Sequence, residues 1–572
     1  MNPPPHTPPP ERGNPGAPPA TALVKDPHSL RRDPGRLAGE QFDLVVIGGG
    51  ILGACVARDA ALRGLKTALV EKGDFGSGTS ANSLKILHGG LRYLQQLNFK
   101  GMRESIRERS IWLRTAPHLT EPLPVVVPTY GHGLAGREIL RLALAVNDVV
   151  SWDRNRDLEA ERRLPPGRSL SRRECLDLVP ECDRPGLTGG VQFYDAQMYS
   201  AERLVLAVVQ AASAAGVVAD NYVEVEVPLL RNGKLEGVRA RDRLSGGALE
   251  VRGRLLINAA GPQAMALAAR LLGRTPRSAP ARSLAMNLVL PGQGHRVAFA
   301  LPGAAVGPAA VARGGGRHLF FAPWRGRMLA GTAHYPHDGA PGRPAHSEAD
   351  IRRFLGEVNQ TWPGKPFGMD DVQLVHAGLL PAHPGRPGDE VRLVRRHQVV
   401  DHATDGADGF LSVLSVKFTT ARLAAEEAVS LAVRKLGVHA PGCRTHVAAL
   451  PGAERGAIPI LAEVYRQYGD LLERDILEHL VRIYGDRYER VLAWRQVRPD
   501  WSERLDPAAP VIKAQFLHAV AEEMGDVPAD LVARRTELGA RGLPCAPALA
   551  FAASLLPPSR TLPDTERASA CQ

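Results

Sequence analysis

Three observations predict an α/β fold with separate domains. An apolar run of strand type near residue 42 passes straight into a glycine-rich turn and an alanine-rich helical stretch. The middle of the chain alternates short apolar runs with Gly and Pro, and near the C-terminus apolar residues recur at helical spacing. The 572 residues exceed what one hydrophobic core usually serves, which favours two or more domains.

The first element is FDLVVIG, Phe42 to Gly48, followed by GGGILG and CVARDAALRG. Gly48, Gly50 and Gly53 form a G-x-G-x-x-G frame, in which the glycines serve a tight turn, close backbone approach to a pyrophosphate, and packing of helix on strand. The phosphates would lie at the positive end of the helix. A second strand, KTALVEK, ends at Glu71, placed to accept hydrogen bonds from both hydroxyls of a ribose. Strand, glycines, helix, strand and acid in that order predict a Rossmann-type dinucleotide site.

NAD and FAD both satisfy this frame, and three later segments favour FAD. GDFGSGTSANS (Gly73 to Ser83) offers small and hydroxylated residues, Ser77, Thr79, Ser80 and Ser83 among them, to a diphosphate and a ring edge. LLINAAGP (Leu255 to Pro262) reads as a buried strand ending in a turn at Ala259 and Gly261. VLSVKFTTARLAAEEAV (Val413 to Val429) opens a helix whose N-terminus, with Thr419 and Thr420, would face the electron-rich end of a reduced flavin. Segments spread this widely suit a ligand that spans a whole domain.

The flanking regions complete the domain plan. Residues 1–40, rich in Pro with Arg and Gly, lack the apolar core of a secretory signal and are expected to be a disordered tail. The flavin domain is expected over 41–449, with a substrate domain on an antiparallel sheet inserted at about 283–384. From the Pro451-Gly452 turn a small helical domain follows over 450–560, then a tail over 561–572. Ile476, Leu477, Leu480 and Tyr484 predict one helix closed by Gly485; Ile512, Phe516, Ala519, Val520 and Met524 mark a second.

Composition narrows the partners less. The net charge of +11 and pI near 9.5 suit nucleic acid, an anionic lipid surface or a phosphorylated substrate, and a genome-wide arginine bias explains them equally well. No groove-reading motif or basic stripe with interleaved aromatics is present, so nucleic acid is set aside. Cys55, Cys175, Cys182, Cys443, Cys545 and Cys571 show no CxxC pair and no zinc spacing; reduced thiols and a cytoplasmic setting are expected. No apolar stretch is long enough to span a bilayer. REILRLALAVNDVV (Arg137 to Val150) has the pattern of an interfacial helix, and a buried core helix explains it as well.

GGGILGACVARDAALRGLKTALVEKGDFGSGTS and SLKILHGGLRYLQ resemble the FAD-dependent, quinone-linked, membrane-peripheral glycerol-3-phosphate dehydrogenases, and HGGLRYL (His88 to Leu94) is the most specific string. Further similarities are RLVLA (Arg203 to Ala207), NYVEV (Asn221 to Val225), NAAGP (Asn258 to Pro262), APW (Ala322 to Trp324), Gly331-Thr332 and KFTTAR (Lys417 to Arg422). ERDILEHLVRIYGDRYERVLAW, AQFLHAVAEEM and Arg534 to Thr536 look like the family's helical C-terminal domain. The likeness runs from about Phe42 to Leu538.

The resemblance implies FAD as cofactor, held by Gly48, Gly50, Gly53, Glu71, Ser77, Thr79, Ser80, Ser83, Val223, Ala259, Gly261, Lys417 and Thr419. It also implies a small phosphorylated polyol as substrate, a quinone as electron acceptor, and contact with the inner face of the cytoplasmic membrane. To oxidise a secondary alcohol, the protein must hold the carbinol carbon against the flavin and remove the hydroxyl proton. Arg92 and Tyr93 are the leading substrate ligands, Lys417 the next and Arg395 a third. His88 is the candidate base, ahead of His334 and His376.

Departures from the family pattern bear on the substrate. GLLPA (Gly378 to Ala382) stands where the family usually shows GVRPL, so Leu380 replaces an arginine. Ser415-Val416-Lys417 replaces GGK, and LAMN (Leu284 to Asn287) replaces a KGSH-like string. His383, Arg386 or Arg392 are candidates to compensate. Three functions follow: oxidation of glycerol 3-phosphate, oxidation of another small polyol, hydroxy acid or amine on the same fold, or a flavin-binding partner protein without catalysis.

Overall fold

The computed structural model describes residues 26–557 apart from 91–97, 132–136, 232–233, 278, 304–317, 340–345, 385–390, 457, 537 and 543–544. A parallel sheet forms first from the strands Gln41–Ile47, Thr67–Val70, Val218–Asp220, Ala248–Asn258 and Phe410–Leu414. The glycine-turn strand Gln41–Ile47 lies between Ala248–Asn258 and Thr67–Val70, parallel to both. Leu44 and Val46 enter one core and Val45 and Ile47 another, the all-apolar pattern of a strand covered on both faces. One face carries the helices Ile51–Leu62, Ala201–Ala214 and Ala421–Leu436. The other carries the strands Val223–Arg231 and Lys234–Asp242, the latter paired with the start of Ala248–Asn258, and helix Ala264–Leu272.

A second, nine-stranded sheet stands over the C-terminal edge of the first. It is larger than the insertion expected at 283–384. Ile86–Leu87, Thr120–Tyr130, Arg168–Leu170 and Leu187–Met198 join Ala281–Pro291, Ala298–Pro302, His318–Trp324, Arg327–Pro336 and Leu374–Ala382. All pairs are antiparallel except Ala298–Pro302 with Thr120–Tyr130, so the sheet is mixed. The sheet is larger because strands from residues 86–198 pair with those from 281–382, a long-range pairing that local sequence patterns do not reveal. Together they bury Leu284, Met286, Phe299, Phe321 and helix Glu348–Thr361 in one core.

The N-terminal reading is also corrected. Residues 26–40 are packed: Leu30 and Leu37 are buried, and helix Pro34–Gly39 starts on Asp33, whose side chain accepts the Arg36 N–H at 2.9 Å. Asp before Pro is a helix-start signal hidden in an otherwise Pro-rich stretch. Residues 1–25 and 558–572, with Cys571, lie outside the described residues.

The C-terminal region is helical, with Arg474–Tyr484 ended by Gly485 and Lys513–Glu522 burying Phe516 and Ala519. Among the described residues no helix is long and apolar enough to cross a membrane, and no group of residues suited to a metal ion is found.

Candidate active site

A cavity of about 3050 Å³ runs from the glycine turn, between the two sheets, to the second sheet's inner face. It begins where neighbouring parallel strands part, the usual ligand crevice of such sheets. Gly48 has φ +109°, and a Cβ there would stand 2.7 Å from the Ala259 carbonyl oxygen. A Cβ on Gly53 would overlap the Gly48 carbonyl oxygen. Gly50 brings no side chain to the start of helix Ile51–Leu62, and the Ile51 amide donates to Ser80 Oγ at 3.0 Å.

Glu71 closes this cradle. Its Oε2 accepts the Gly49 N–H at 2.6 Å and its Oε1 the Gly73 N–H at 2.8 Å, which leaves further lone pairs for a sugar hydroxyl. Burial raises its carboxyl above the ordinary value, and the two amides offset only part of that. Val223 donates its amide to the Glu71 carbonyl at 2.7 Å. Ser77, Thr79, Ser80, Ser83, Ala259 and Gly261 all line the same cavity. Bare backbone at Gly48 and Gly53, a helix start and a buried acid fit an adenine dinucleotide.

His88, Thr419 and Lys417 all line the cavity on another wall. The His88 amide donates to Thr419 Oγ1 at 3.2 Å, and Thr419 precedes the N-terminus of helix Ala421–Leu436. Behind the imidazole lies buried Asp195, with Oδ2 3.2 Å from His88 Nδ1. Asp195 Oδ1 accepts the Gly89 N–H at 2.6 Å and Arg109 at 2.8 Å. Burial works against the Asp195 charge, but His88, Arg109 and the Gly89 amide together hold its carboxyl below the ordinary value. Burial pulls the Lys417 ammonium down to about 8.

Other sequence-predicted residues are more scattered. Arg395 lines the cavity from an exposed position, as do His383 and Arg392. Leu380 is half-buried on the cavity wall, paired in register with Ser283. His376 is buried, and enclosure with Lys85 nearby pushes it well below the ordinary imidazole value, so it stays neutral. Asn287, from the LAMN string, accepts the Thr332 hydroxyl at 2.7 Å. Arg92, Tyr93 and Arg386 lie outside the described residues. Asp195 and Arg109 were missed, although an acid inside the apolar strand VQFYDAQMY is a signal for a buried partner.

Fold and site define a flavin-dependent oxidoreductase. Residues 43–431 match the FAD dependent oxidoreductase family, and residues 443–552 match the C-terminal domain of alpha-glycerophosphate oxidase. The glycerol-3-phosphate dehydrogenase of Synechocystis is 36% identical over 506 residues, 87% of this chain and 89% of that protein. Glycerol-3-phosphate dehydrogenase 2 of Mycobacterium tuberculosis is 34% identical over 519 residues, 89% of this chain and 84% of its own. The solved structure of the Bacillus halodurans glycerol-3-phosphate dehydrogenase complexed with FAD superposes with a TM-score of 0.69 at 26% identity, covering 89% of this chain and 88% of that one. The chain belongs to the FAD-dependent glycerol-3-phosphate dehydrogenase family, and FAD is its cofactor.

Proposed function

We propose that this protein oxidises sn-glycerol 3-phosphate to dihydroxyacetone phosphate and passes the electrons to a quinone at a membrane surface. The observation that carries the reading is the wall on which His88, backed by Asp195, stands beside Thr419 and Lys417 in the cavity of the glycine cradle. The relatives of similar length support it.

Gly48, Gly50, Gly53 and Glu71 would hold the adenosine diphosphate half of FAD, with Ser77, Thr79, Ser80, Ser83, Val223, Ala259 and Gly261 around it. FAD supplies the two-electron acceptor that no side chain provides. His88 Nε2 takes the proton of the reacting hydroxyl, since Nδ1 is engaged by Asp195. A phosphate brings roughly two negative charges. Lys417, Arg395 and the Arg92 and Tyr93 of the HGGLRY string would meet it, with Arg392 and His383 at the cavity edge.

Helix Arg137–Val150 supports membrane contact. Its Leu140 and Ala143 line the cavity and Leu144 is buried, whereas Leu142 and Val149 are 62% and 74% exposed, followed by Trp152 at 77%. One helix thus borders the cavity and presents apolar groups outward, as an interfacial helix does.

Leu380 favours a second reading, oxidation of another small polyol, hydroxy acid or amine, because it offers the cavity no charge. Anaerobic bleaching of the bound flavin separates the cases. Bleaching by glycerol 3-phosphate at low concentration is expected; bleaching only by uncharged polyols, hydroxy acids or amines would transfer the assignment to the second reading. Bleaching by none would leave a flavin-binding partner protein.

A further inference from the structure

We propose that Asp195, anchored by Arg109, is a positioning residue that fixes the tautomer and the orientation of His88. The inference rests on the reading of His88 as the base and adds to it the group on which that role depends.

Sheet register brings the pair together. Strand Ile86–Leu87 runs antiparallel to Leu187–Met198, with Ile86 opposite Gln197 and Leu87 opposite Ala196, so the next residue on each strand is His88 and Asp195. Asp195 is buried in the cavity wall and its two oxygens have separate duties. Oδ1 accepts the Gly89 N–H at 2.6 Å and Arg109 NH1 at 2.8 Å; Oδ2 faces His88 Nδ1 at 3.2 Å. Arg109 is itself buried and donates also to the Tyr194 carbonyl at 2.7 Å, so the carboxylate is held from behind.

Gly89 shows how closely this support is built. A Cβ at that position would overlap the Arg109 guanidinium, so glycine lets the His88 turn lie on the Arg109–Asp195 pair without displacing the arginine. Phe320 meets the imidazole edge-on at 6.0 Å between ring centres. An ionised Asp195 can only accept, so His88 carries its proton on Nδ1 and Nε2 keeps the lone pair for the substrate. Among the described residues, the charged groups around His88 are Asp195 on the strand, Arg109 on helix Phe99–Thr115, and Lys417 two residues before its Thr419 contact; Lys85 in its own segment is paired with Glu202 at 2.6 Å.

Asp195→Asn is nearly isosteric and informative. Gly89 and Arg109 would claim the amide oxygen, which turns the NH₂ toward Nδ1 and selects the tautomer with its proton on Nε2. The expected result is anaerobic flavin reduction by glycerol 3-phosphate slowed about 100-fold or more, with an unchanged substrate KM and flavin spectrum. The acid limb of the rate profile moves to lower pH, and Asp195→Glu recovers part of the rate. Independently of turnover, ¹⁵N resonances of the His88 ring, assigned through His88→Gln, should report a protonated Nδ1 in the native holoenzyme.

A protonated Nε2 in the native protein, or an Asp195→Asn enzyme whose acid limb stays in place, would overturn the positioning role even if His88→Gln is slow. A His88→Gln enzyme of undiminished rate would instead remove the base assignment. Loss of bound flavin in Asp195→Asn together with a native Nε2–H signal would make Asp195 a purely structural support.

Discussion

Arg535 grips both oxygens of Asp74: Nη1 lies 2.7 Å from Oδ2 and Nη2 2.9 Å from Oδ1, with the two side chains 1% and 0% exposed. Arg534 adds a third bond to Oδ2 at 2.7 Å. Asp74 belongs to the loop after Glu71, and Gly76 of that loop donates to the Gly49 carbonyl at 3.0 Å. The C-terminal helical region is therefore tied to the glycine cradle through one buried carboxylate. Arg535→Met leaves Asp74 with Arg534 and Asn221 as partners, so the cost should be about 1.5–3 kcal/mol, less than for a buried charge left unpaired. Urea unfolding should show that loss, and flavin fluorescence should show faster release of FAD; Asp74→Asn in the same chain should restore part of both. Unchanged unfolding would refute the tie.

A second tie titrates. Arg203 holds Glu523 by two bonds of 2.6 and 2.7 Å. Burial disfavours the Glu523 charge, but Arg203 outweighs it and the carboxyl sits at about 2. A carboxyl depressed in the folded state stabilises fully above its ordinary range and loses that stabilisation as pH falls through the folded value. The window here runs downward from the ordinary glutamate range to about 2. Glu523→Gln should lower stability near neutral pH and flatten the acid side of a stability-versus-pH curve. Parallel curves for the two proteins would contradict it.

Gly53 tests the cradle. The Cβ of Gly53→Ala would overlap the Gly48 carbonyl oxygen and come within 3.4 Å of the Ala259 side chain. Backbone contacts cannot yield as a side-chain tip does, so strain of about 1–3 kcal/mol falls on the turn itself. The variant is expected to keep its far-ultraviolet circular dichroism and to purify with little yellow colour. Full flavin content would show that the turn can shift without cost.

The parallel sheet was legible because its signals are local. FDLVVIG, the glycine frame and Glu71 lie within one continuous unit, and steric need at Gly48 and Gly53 leaves little freedom of residue type. The C-terminal helix Arg474–Tyr484 was legible through its apolar spacing and the Gly485 stop. The second sheet was only half legible, since the pairing of Thr120–Tyr130 with Ala298–Pro302 depends on residues far apart in sequence. Helix Pro34–Gly39 was masked by the Pro-rich composition around it. In the site, His88 and Lys417 stood out through strings that surround them. Asp195 carried only the local mark of an acid inside an apolar strand, and its meeting with His88 depends on a register between strands about a hundred residues apart; Arg109, on helix Phe99–Thr115, has nothing local that singles it out.

On the proposed function, Lys417 would link pH to substrate affinity. Burial lowers its ammonium to about 8, below the ordinary lysine value, because the charged form loses solvation. Below that point the ammonium is present and can meet a phosphate; as pH rises through about 8 it is lost from the free enzyme. KM for glycerol 3-phosphate should therefore climb on the alkaline side, whereas KM for an uncharged polyol should not. Lys417→Met should raise the phosphate KM at neutral pH by about tenfold or more, consistent with roughly 1.5–3 kcal/mol for a hydrogen bond to a charged group, and should erase the alkaline climb. A climb that persists in Lys417→Met assigns the titration to another group.

The exposed row on and after helix Arg137–Val150 sets the last expectation. Leu142, Val149 and Trp152 present apolar groups outward, while Arg103 donates to the Val150 carbonyl at 3.0 Å and fixes the end of the helix. Side chains already exposed add little to folding, so replacing them should leave the fold intact. Burying each in a lipid interface would contribute up to about 1.5–3 kcal/mol. Leu142→Ser with Trp152→Ser should thus weaken binding to phosphatidylglycerol vesicles by roughly tenfold or more, because each 1.4 kcal/mol is about a factor of ten. Reduction of a water-soluble dye should continue at the native rate, and reduction of a vesicle-embedded quinone should fall. Equal vesicle binding by the native and doubly substituted proteins would exclude this helix as a membrane contact.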